Sequence, residues 1–95
     1  MKVYIIGNKQ CTEEFDNAER LLRQNGHIPI NPVRILYALP EDINQSDYTV
    51  ILFEVIRVCD AVYLLNGWKS DLYASMEAAH ARRTDKEFLD QTDYF

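Results

Sequence analysis

The sequence predicts an α/β domain built on a parallel sheet with flanking helices, and three observations carry that expectation. Two β-branched and aromatic runs, Val3-Tyr4-Ile5-Ile6 and Ala61-Val62-Tyr63-Leu64-Leu65, stop at Gly7-Asn8 and Asn66-Gly67, the pattern of buried strands closed by turns. Between and after them lie segments whose apolar residues recur at helical spacing. Strand and helix therefore alternate along the chain, the order expected of parallel strands joined by crossover helices.

The elements follow in order. Val3 to Ile6 is the first strand. Thr12 opens a helix with Glu13 and Glu14 in its first turn, where acidic side chains favour the positive end of the helix. Phe15, Ala18, Leu21 and Leu22 form its apolar stripe up to Asn25-Gly26, where glycine can take the left-handed stop conformation. His27-Ile28-Pro29-Ile30 leads into Asn31-Pro32, and the prolines confine this short second strand to an edge. From Val33 to Gln45 the pattern is weak, because Pro40 and the polar run Glu41 to Gln45 break any period after Leu36-Tyr37-Ala38-Leu39. The expectation there is a loop with a single helical turn.

Ser46 or Asp47 can cap a helix through Val50, Ile51, Leu52, Phe53, Val55, Ile56 and Val58. So many β-branched residues would also suit a strand, and periodicity does not decide between the two. As a helix the segment is apolar on nearly every side, which predicts cover by the sheet on one face and by another subunit on the other. A domain of 95 residues buries a modest fraction of its surface, so a homodimer or higher homo-oligomer is expected. After the strand Ala61 to Leu65, Asp71 can cap a third helix whose Leu72, Met76, Ala79 and neighbouring alanines supply a packing stripe. The tail from Thr84 to Phe95 is polar, with Phe88-Leu89 the only hint of a further short strand.

Composition narrows the function. The chain is sized for one domain spanning 1–95, without repeats. Fifteen acidic against ten basic residues give a net charge of −5, which opposes the phosphate contacts that dominate binding to polymeric nucleic acid. No run reaches the ~18 to 20 apolar residues that span a bilayer, and the first apolar run is too short for a signal peptide, so a cytoplasmic protein is expected. Cys11 and Cys59 form no paired motif. Glu77 and His80 make one Glu-x-x-His pair, half of a di-metal pattern whose other half is missing. Neither metal nor cofactor is expected.

In parallel sheets ligands bind beyond the carboxyl ends of the strands. That places the candidate site at Gly7, Asn8 and Lys9 after strand one, Asn31-Pro32 after strand two, and Gly67-Trp68-Lys69-Ser70-Asp71 after strand three. Asp71 and Glu77, six residues apart, can reach one cleft, and a carboxylate pair is what glycosyl-bond chemistry requires. On spacing alone the pair is a weak signal, since acidic residues favour first helical turns anyway.

The ordered set of segments adds to this. Tyr4-Ile5-Ile6-Gly7, then Phe15-Asp16-Asn17-Ala18-Glu19-Arg20-Leu21-Leu22 with Gly26, then Ile30-Asn31-Pro32, then Cys59-Asp60-Ala61-Val62-Tyr63-Leu64-Leu65-Asn66-Gly67-Trp68, then Asp71, Ala74 and Glu77 resemble the nucleoside 2-deoxyribosyltransferase superfamily, in particular its short, often phage-associated branch. The resemblance implies a flavodoxin-like, Rossmann-like three-layer fold, here in a minimal version of about four strands. It implies cleavage or transfer of the N-glycosidic bond of a 2′-deoxynucleoside or deoxynucleotide. Glu77 matches the family's nucleophile, Tyr4 the tyrosine that orients it, and Asp60 and Asp71 the aspartates that recognise base and sugar. Gly7, Asn8, Lys9, Gly67 and Trp68 complete the expected substrate contacts, with Lys9 placed to meet a 5′-phosphate. Two departures stand out. The family's glycine four residues before the glutamate is Tyr73 here, which predicts a narrowed or filled cleft, and Gly7-Asn8-Lys9-Gln10 replaces a loop of small residues. They motivate a second expectation, a non-catalytic nucleotide-binding or interaction module on the same fold.

Overall fold

The computed structural model describes residues 1–90; the end of the polar tail, 91–95, lies outside the described residues. Its strands are β1 (Lys2–Ile6), β2 (Ile28–Ile30), β3 (Ala61–Leu64) and β4 (Glu87–Asp90), and its helices α1 (Thr12–Gln24), α2 (Pro32–Ala38), α3 (Gln45–Val58) and α4 (Leu72–Arg83). All four strands are parallel, in the order β2-β1-β3-β4. The register Val3 to Ala61 and Ile6 to Leu64 sets β1 and β3 side by side at the centre. Strand order reverses between them, and a doubly wound sheet opens its ligand crevice at such a point.

The alternation of side chains along β1 divides the core in two. Val3 and Ile5 face Phe15, Ala18 and Leu22 of α1. Tyr4 and Ile6 face Tyr48, Leu52 and Ile56 of α3 and Ala74, Ala78 and Ala81 of α4; the stripe of α4 is thus its alanines, and Leu72 and Met76, expected to pack, are exposed instead. This gives the three layers expected of the sequence. Phe15, Leu22, Leu52 and Ile56 are at most 1% exposed, and full burial of a side chain of this size stabilises the fold by roughly 1.5–3 kcal/mol. Chain reversal after α1 uses Gly26 at φ 83°, the left-handed geometry glycine adopts without a Cβ penalty.

One segment departs from expectation and two others resolve what the sequence left open. The stretch read as a loop after Pro32 folds into α2, because the Asn31 side chain accepts a hydrogen bond from the Val33 amide at 3.0 Å and Pro32 stands at the first helical position with its φ already fixed. Asn31 and Pro32 thus start a helix rather than line a ligand site. The apolar segment that suited helix or strand is helix α3, capped by Asn44, whose side chain accepts from the Asp47 amide at 2.8 Å, and not by Ser46 or Asp47. Its buried stripe is Tyr48, Leu52 and Ile56, while Val50 and Val58 stay exposed. The Phe88-Leu89 hint becomes β4, reached through Asp85 at φ 59°, a conformation short polar side chains tolerate.

Gly7 closes β1 against Leu65. A Cβ there would lie 2.7 Å from Leu65 Cδ1, closer than real Cβ atoms come, and 3.0 Å from its Cβ, a tight contact, so Gly7 allows close packing at the end of the sheet. Gly7→Ala is expected to cost about 1–3 kcal/mol by overpacking, measurable as a lower denaturation midpoint with unchanged m-value. An unchanged midpoint would mean that Leu65 moves aside freely.

Candidate functional site

Tyr4, Lys9 and Glu77 meet at the carboxyl end of β1. Glu77 lies on the face of α4 turned to the sheet and is 3% exposed. Lys9 reaches over it from the loop after β1, its Nζ 2.7 Å from Glu77 Oε2, with 13% of its side chain exposed. That loop is held by two bonds of its own: Cys11 N donates to the Asn8 carbonyl at 2.9 Å and Gln10 N donates to Asn8 Oδ1 at 3.0 Å. The short polar Asn8 builds the turn, and Lys9 extends from it.

Electrostatics at this point oppose one another. Burial pushes the Glu77 carboxyl above the ordinary carboxylate range; the Lys9 ammonium pulls it back by its charge and hydrogen bond, Tyr4 adds a smaller pull, and the charge of Asp71 pushes upward. The net direction is up, so desolvation wins. Burial, then the neighbouring carboxylate, raise the Tyr4 phenol well above its usual range. The Tyr4 hydroxyl lies beside the carboxylate without regular hydrogen-bond geometry: it and Glu77 Oε1 have no hydrogen-bond partner among the described residues. The hydroxyl still acts on the carboxylate as a nearby donor, lowering its pKa while its own rises.

A third such atom belongs to Tyr48, a residue the sequence reading did not single out. Its hydroxyl is buried and has no hydrogen-bond partner among the described residues, and burial followed by the charge of Glu77 raises its phenol far above the usual range. Tyr48 stands one turn inside α3, in step with Leu52 and Ile56. That i, i+4, i+8 stripe was legible in the sequence and could have aimed Tyr48 at the sheet.

Above these groups opens a cleft of about 360 Å³, walled by Asn8, Lys9 and Gln10 on one side, Leu36, Gln45 and Tyr48 on another, and Asp71 and Tyr73 on the third. Its volume is within the range of small-molecule sites. Tyr73 is 41% exposed and stands in the wall, so the filled cleft its bulk suggested is not what the fold produces. Glu77 is not part of the wall; it lies beneath Lys9.

The other expected site residues separate by location. Asp71 is at the cleft and caps α4, its Oδ2 accepting from Ala74 N at 2.8 Å. Asp71→Ala is expected to lose about 1 kcal/mol of stability and Asp71→Ser almost none; equal losses in thermal unfolding would show that the carboxylate, rather than the cap, matters for stability. Asp60 is not at the cleft. It precedes β3, where its Oδ2 accepts from Lys2 N at 2.8 Å and its own N–H donates to the Lys2 carbonyl, which, with nearby positive charge, holds its carboxyl below the usual range. It staples the amino ends of β1 and β3, at the far end of the sheet from Lys9. Gly67 and Trp68 line a separate depression of about 320 Å³ with Leu64, Leu65 and Asp90. There the Lys69 ammonium sits 5.7 Å above the Trp68 ring. Among the described residues no group of three His, Cys, Asp or Glu side chains could hold a metal ion, and no helix is long and apolar enough to cross a membrane.

The fold and the crevice at the switch between β1 and β3 define the class: a parallel three-layer α/β domain with a ligand-sized cleft at the carboxyl ends of its central strands. Within that class the chain belongs to the family described as "Domain of unknown function (DUF4406)", whose profile matches residues 1–90. No curated protein matches the sequence. Among solved structures, the CMP N-glycosidase BcmB of Clostridium botulinum is similar, with a TM-score of 0.69 over 100% of this chain and 75% of that chain at 14% identity. That likeness shows a shared fold.

Proposed function

We propose that this chain cleaves or transfers the N-glycosidic bond of a small 2′-deoxynucleoside or deoxynucleotide, with Glu77 as nucleophile. The observation that carries the reading is the Glu77 carboxylate itself, buried beneath the wall of a cleft of suitable size, with one oxygen on Lys9 and the other without a hydrogen-bond partner among the described residues. A carboxylate stripped of water is a stronger nucleophile toward a centre that develops positive charge. In the proposed step Glu77 bonds to C1′ as the bond from C1′ to the base nitrogen breaks. The base leaves with the electron pair and takes up a proton from water, and the attacking water or second base gives up one in the next step. A second base, in transfer, or water, in hydrolysis, then attacks C1′ and releases the carboxylate. Tyr4 steadies Glu77, and Asn8, Asp71 and Lys9 contact the substrate from the cleft wall. The fold shared with a CMP N-glycosidase agrees with nucleotide-sized substrates.

The test is to incubate the purified protein with deoxynucleosides and their monophosphates, with and without a second free base, and to follow released or exchanged base by chromatography. Base release that disappears in Glu77→Ala supports the reading; no turnover of any substrate, or turnover indifferent to Glu77, refutes it. One observation favours a second reading, a nucleotide-binding module without turnover: Tyr73 occupies cleft wall where the superfamily it resembles carries glycine. Such a module would be stabilised by nucleotide in thermal unfolding without consuming it. Homo-oligomerisation remains part of the proposal, because Val50 on α3 and Leu72 and Met76 on α4 are exposed apolar side chains that a second copy would cover; sedimentation as a monomer at micromolar concentration would remove it.

A further inference from the structure

The Lys9–Glu77 pair has a consequence for which substrates can react. A ligand in the cleft touches Lys9 and not Glu77, since Lys9 belongs to the wall and the carboxylate lies beneath it. Attack on a sugar carbon needs the carboxylate uncovered. The backbone of the loop is tied at Asn8, Gln10 and Cys11, so the movable part is the lysine side chain, a flexible four-carbon stem.

We propose that Lys9 is a latch over Glu77 that a phosphate monoester releases, so that the cleft selects nucleoside 5′-monophosphates over nucleosides. This rests on the reading of Glu77 as the reacting group. A neutral nucleoside offers the ammonium no new anion, and parting a nearly buried ion pair without replacement leaves both charges uncompensated. A phosphate carries more charge than a carboxylate and several strong acceptor oxygens, so it competes for the ammonium directly. Among the described residues that line the cleft, Lys9 is the only basic one, and a phosphate entering there has no other cationic side chain to meet. The carboxylate left behind is not stranded. The hydroxyls of Tyr4 and Tyr48, buried and unpartnered in the closed arrangement, both lie within the electrostatic reach of Glu77. Each hydroxyl is a donor that can turn toward an uncovered anion. Buried polar atoms without partners are costly to keep, and release of the latch leaves the carboxylate with a free acceptor oxygen for such donors. Lys9 is thereby a specificity-determining residue, and the phosphate that it holds is the part of the substrate that does not react.

The test separates binding from chemistry. Affinities of the wild-type protein and of Glu77→Gln for each common 2′-deoxynucleoside, its 5′-monophosphate and inorganic phosphate are measured by calorimetry, and then repeated in Lys9→Met. The monophosphate is expected to bind roughly 10- to 100-fold more tightly than its nucleoside, the range of one charge-assisted contact, and Lys9→Met to bring the two within about threefold. Inorganic phosphate is expected to bind weakly through the same lysine. In the wild-type protein the 13C resonance of the Glu77 carboxyl, assigned by its loss in Glu77→Gln, is expected to shift on addition of monophosphate in the direction that Lys9→Met alone produces. Lys9→Gln supplies the reference direction if Lys9→Met folds poorly. Equal affinity for nucleoside and monophosphate, no binding of either, or a monophosphate preference that survives in Lys9→Met with an unmoved Glu77 resonance overturns the latch. Preferential binding of monophosphate without turnover would keep the latch and remove the glycosidic reading; turnover of nucleosides as fast as monophosphates would do the reverse.

Discussion

Glu77→Gln is expected to lower N-glycosidic turnover by at least about a thousandfold, the scale on which removal of an essential nucleophile acts. The amide keeps the size of the side chain and can still accept from the Lys9 ammonium, but it has no anionic oxygen to bond C1′. A merely positioning glutamate would lose far less. The assay is base release under single-turnover conditions with the best substrate. Retention of a tenth or more of the wild-type rate would remove Glu77 from the reaction, whatever its place in the fold.

The same substitution is expected to raise stability at neutral pH. Burial lifts the Glu77 carboxyl above its unfolded value despite the pull of Lys9 and Tyr4, so the folded chain holds the ionised form at a disadvantage. The sign follows from linkage. A carboxyl whose folded pKa lies above its unfolded pKa costs nothing below the unfolded value of about 4.3, and the cost grows as pH rises toward the raised folded value, above which it is complete. Glu77→Gln removes that cost, and a gain of about 0.5–2 kcal/mol at neutral pH is expected, or roughly 4–8 °C in Tm per kcal/mol for a chain of this size. The gain shrinks on acidification toward pH ~4. Thermal unfolding of both proteins across that interval checks it; a gain independent of pH would point to packing instead of charge.

Much of the fold was legible because its signals are local. The β-branched run ending at Gly7, the stripe Phe15-Ala18-Leu22 and the cap Asp71 each determine an element within a few residues, and each appears where the sequence placed it. The errors arose where one residue served two purposes. Asn31-Pro32 reads as the end of a strand, and it is equally a helix cap with proline at the first position. Asn44 was hidden in a polar run that looked like loop. At the site, Tyr4, Lys9, Asp71 and Glu77 converge from segments far apart in sequence, as their order along alternating strands and helices implied. Asp60 did not join them. A residue just before a strand lies at the amino end of a parallel sheet, and the crevice is at the other end, so the topology alone argued against it once the strand boundary at Ala61 was known. Tyr48 was missed for the opposite reason: its stripe was visible, but a helix-or-strand ambiguity left its direction open.

Lys9→Met is expected to destabilise the protein by about 2–3 kcal/mol near neutral pH and by much less near pH ~4. The methionine replaces most of the aliphatic stem, so packing is nearly conserved and the change isolates the ammonium. Breaking a fully buried ion pair costs about 3–5 kcal/mol; the loss here is smaller because Lys9 is partly exposed and because Glu77 can escape by taking up a proton. That escape gives the pH dependence its sign. Without the Lys9 charge, which lowers the Glu77 carboxyl, the folded pKa rises further above the unfolded value and the penalty at neutral pH grows, whereas below about pH 4 both states hold the proton and the penalty vanishes. In Glu77→Gln there is no charge to strand, so adding Lys9→Met to that background is expected to cost under about 1 kcal/mol, and the coupling energy of the double-mutant cycle then lies at 1 kcal/mol or more. Urea unfolding of the four proteins at acid and neutral pH measures every term. A Lys9→Met loss that is the same at both pH values, or additive with Glu77→Gln, would mean that Lys9 contributes its hydrocarbon stem and holds no charge in place over the carboxylate.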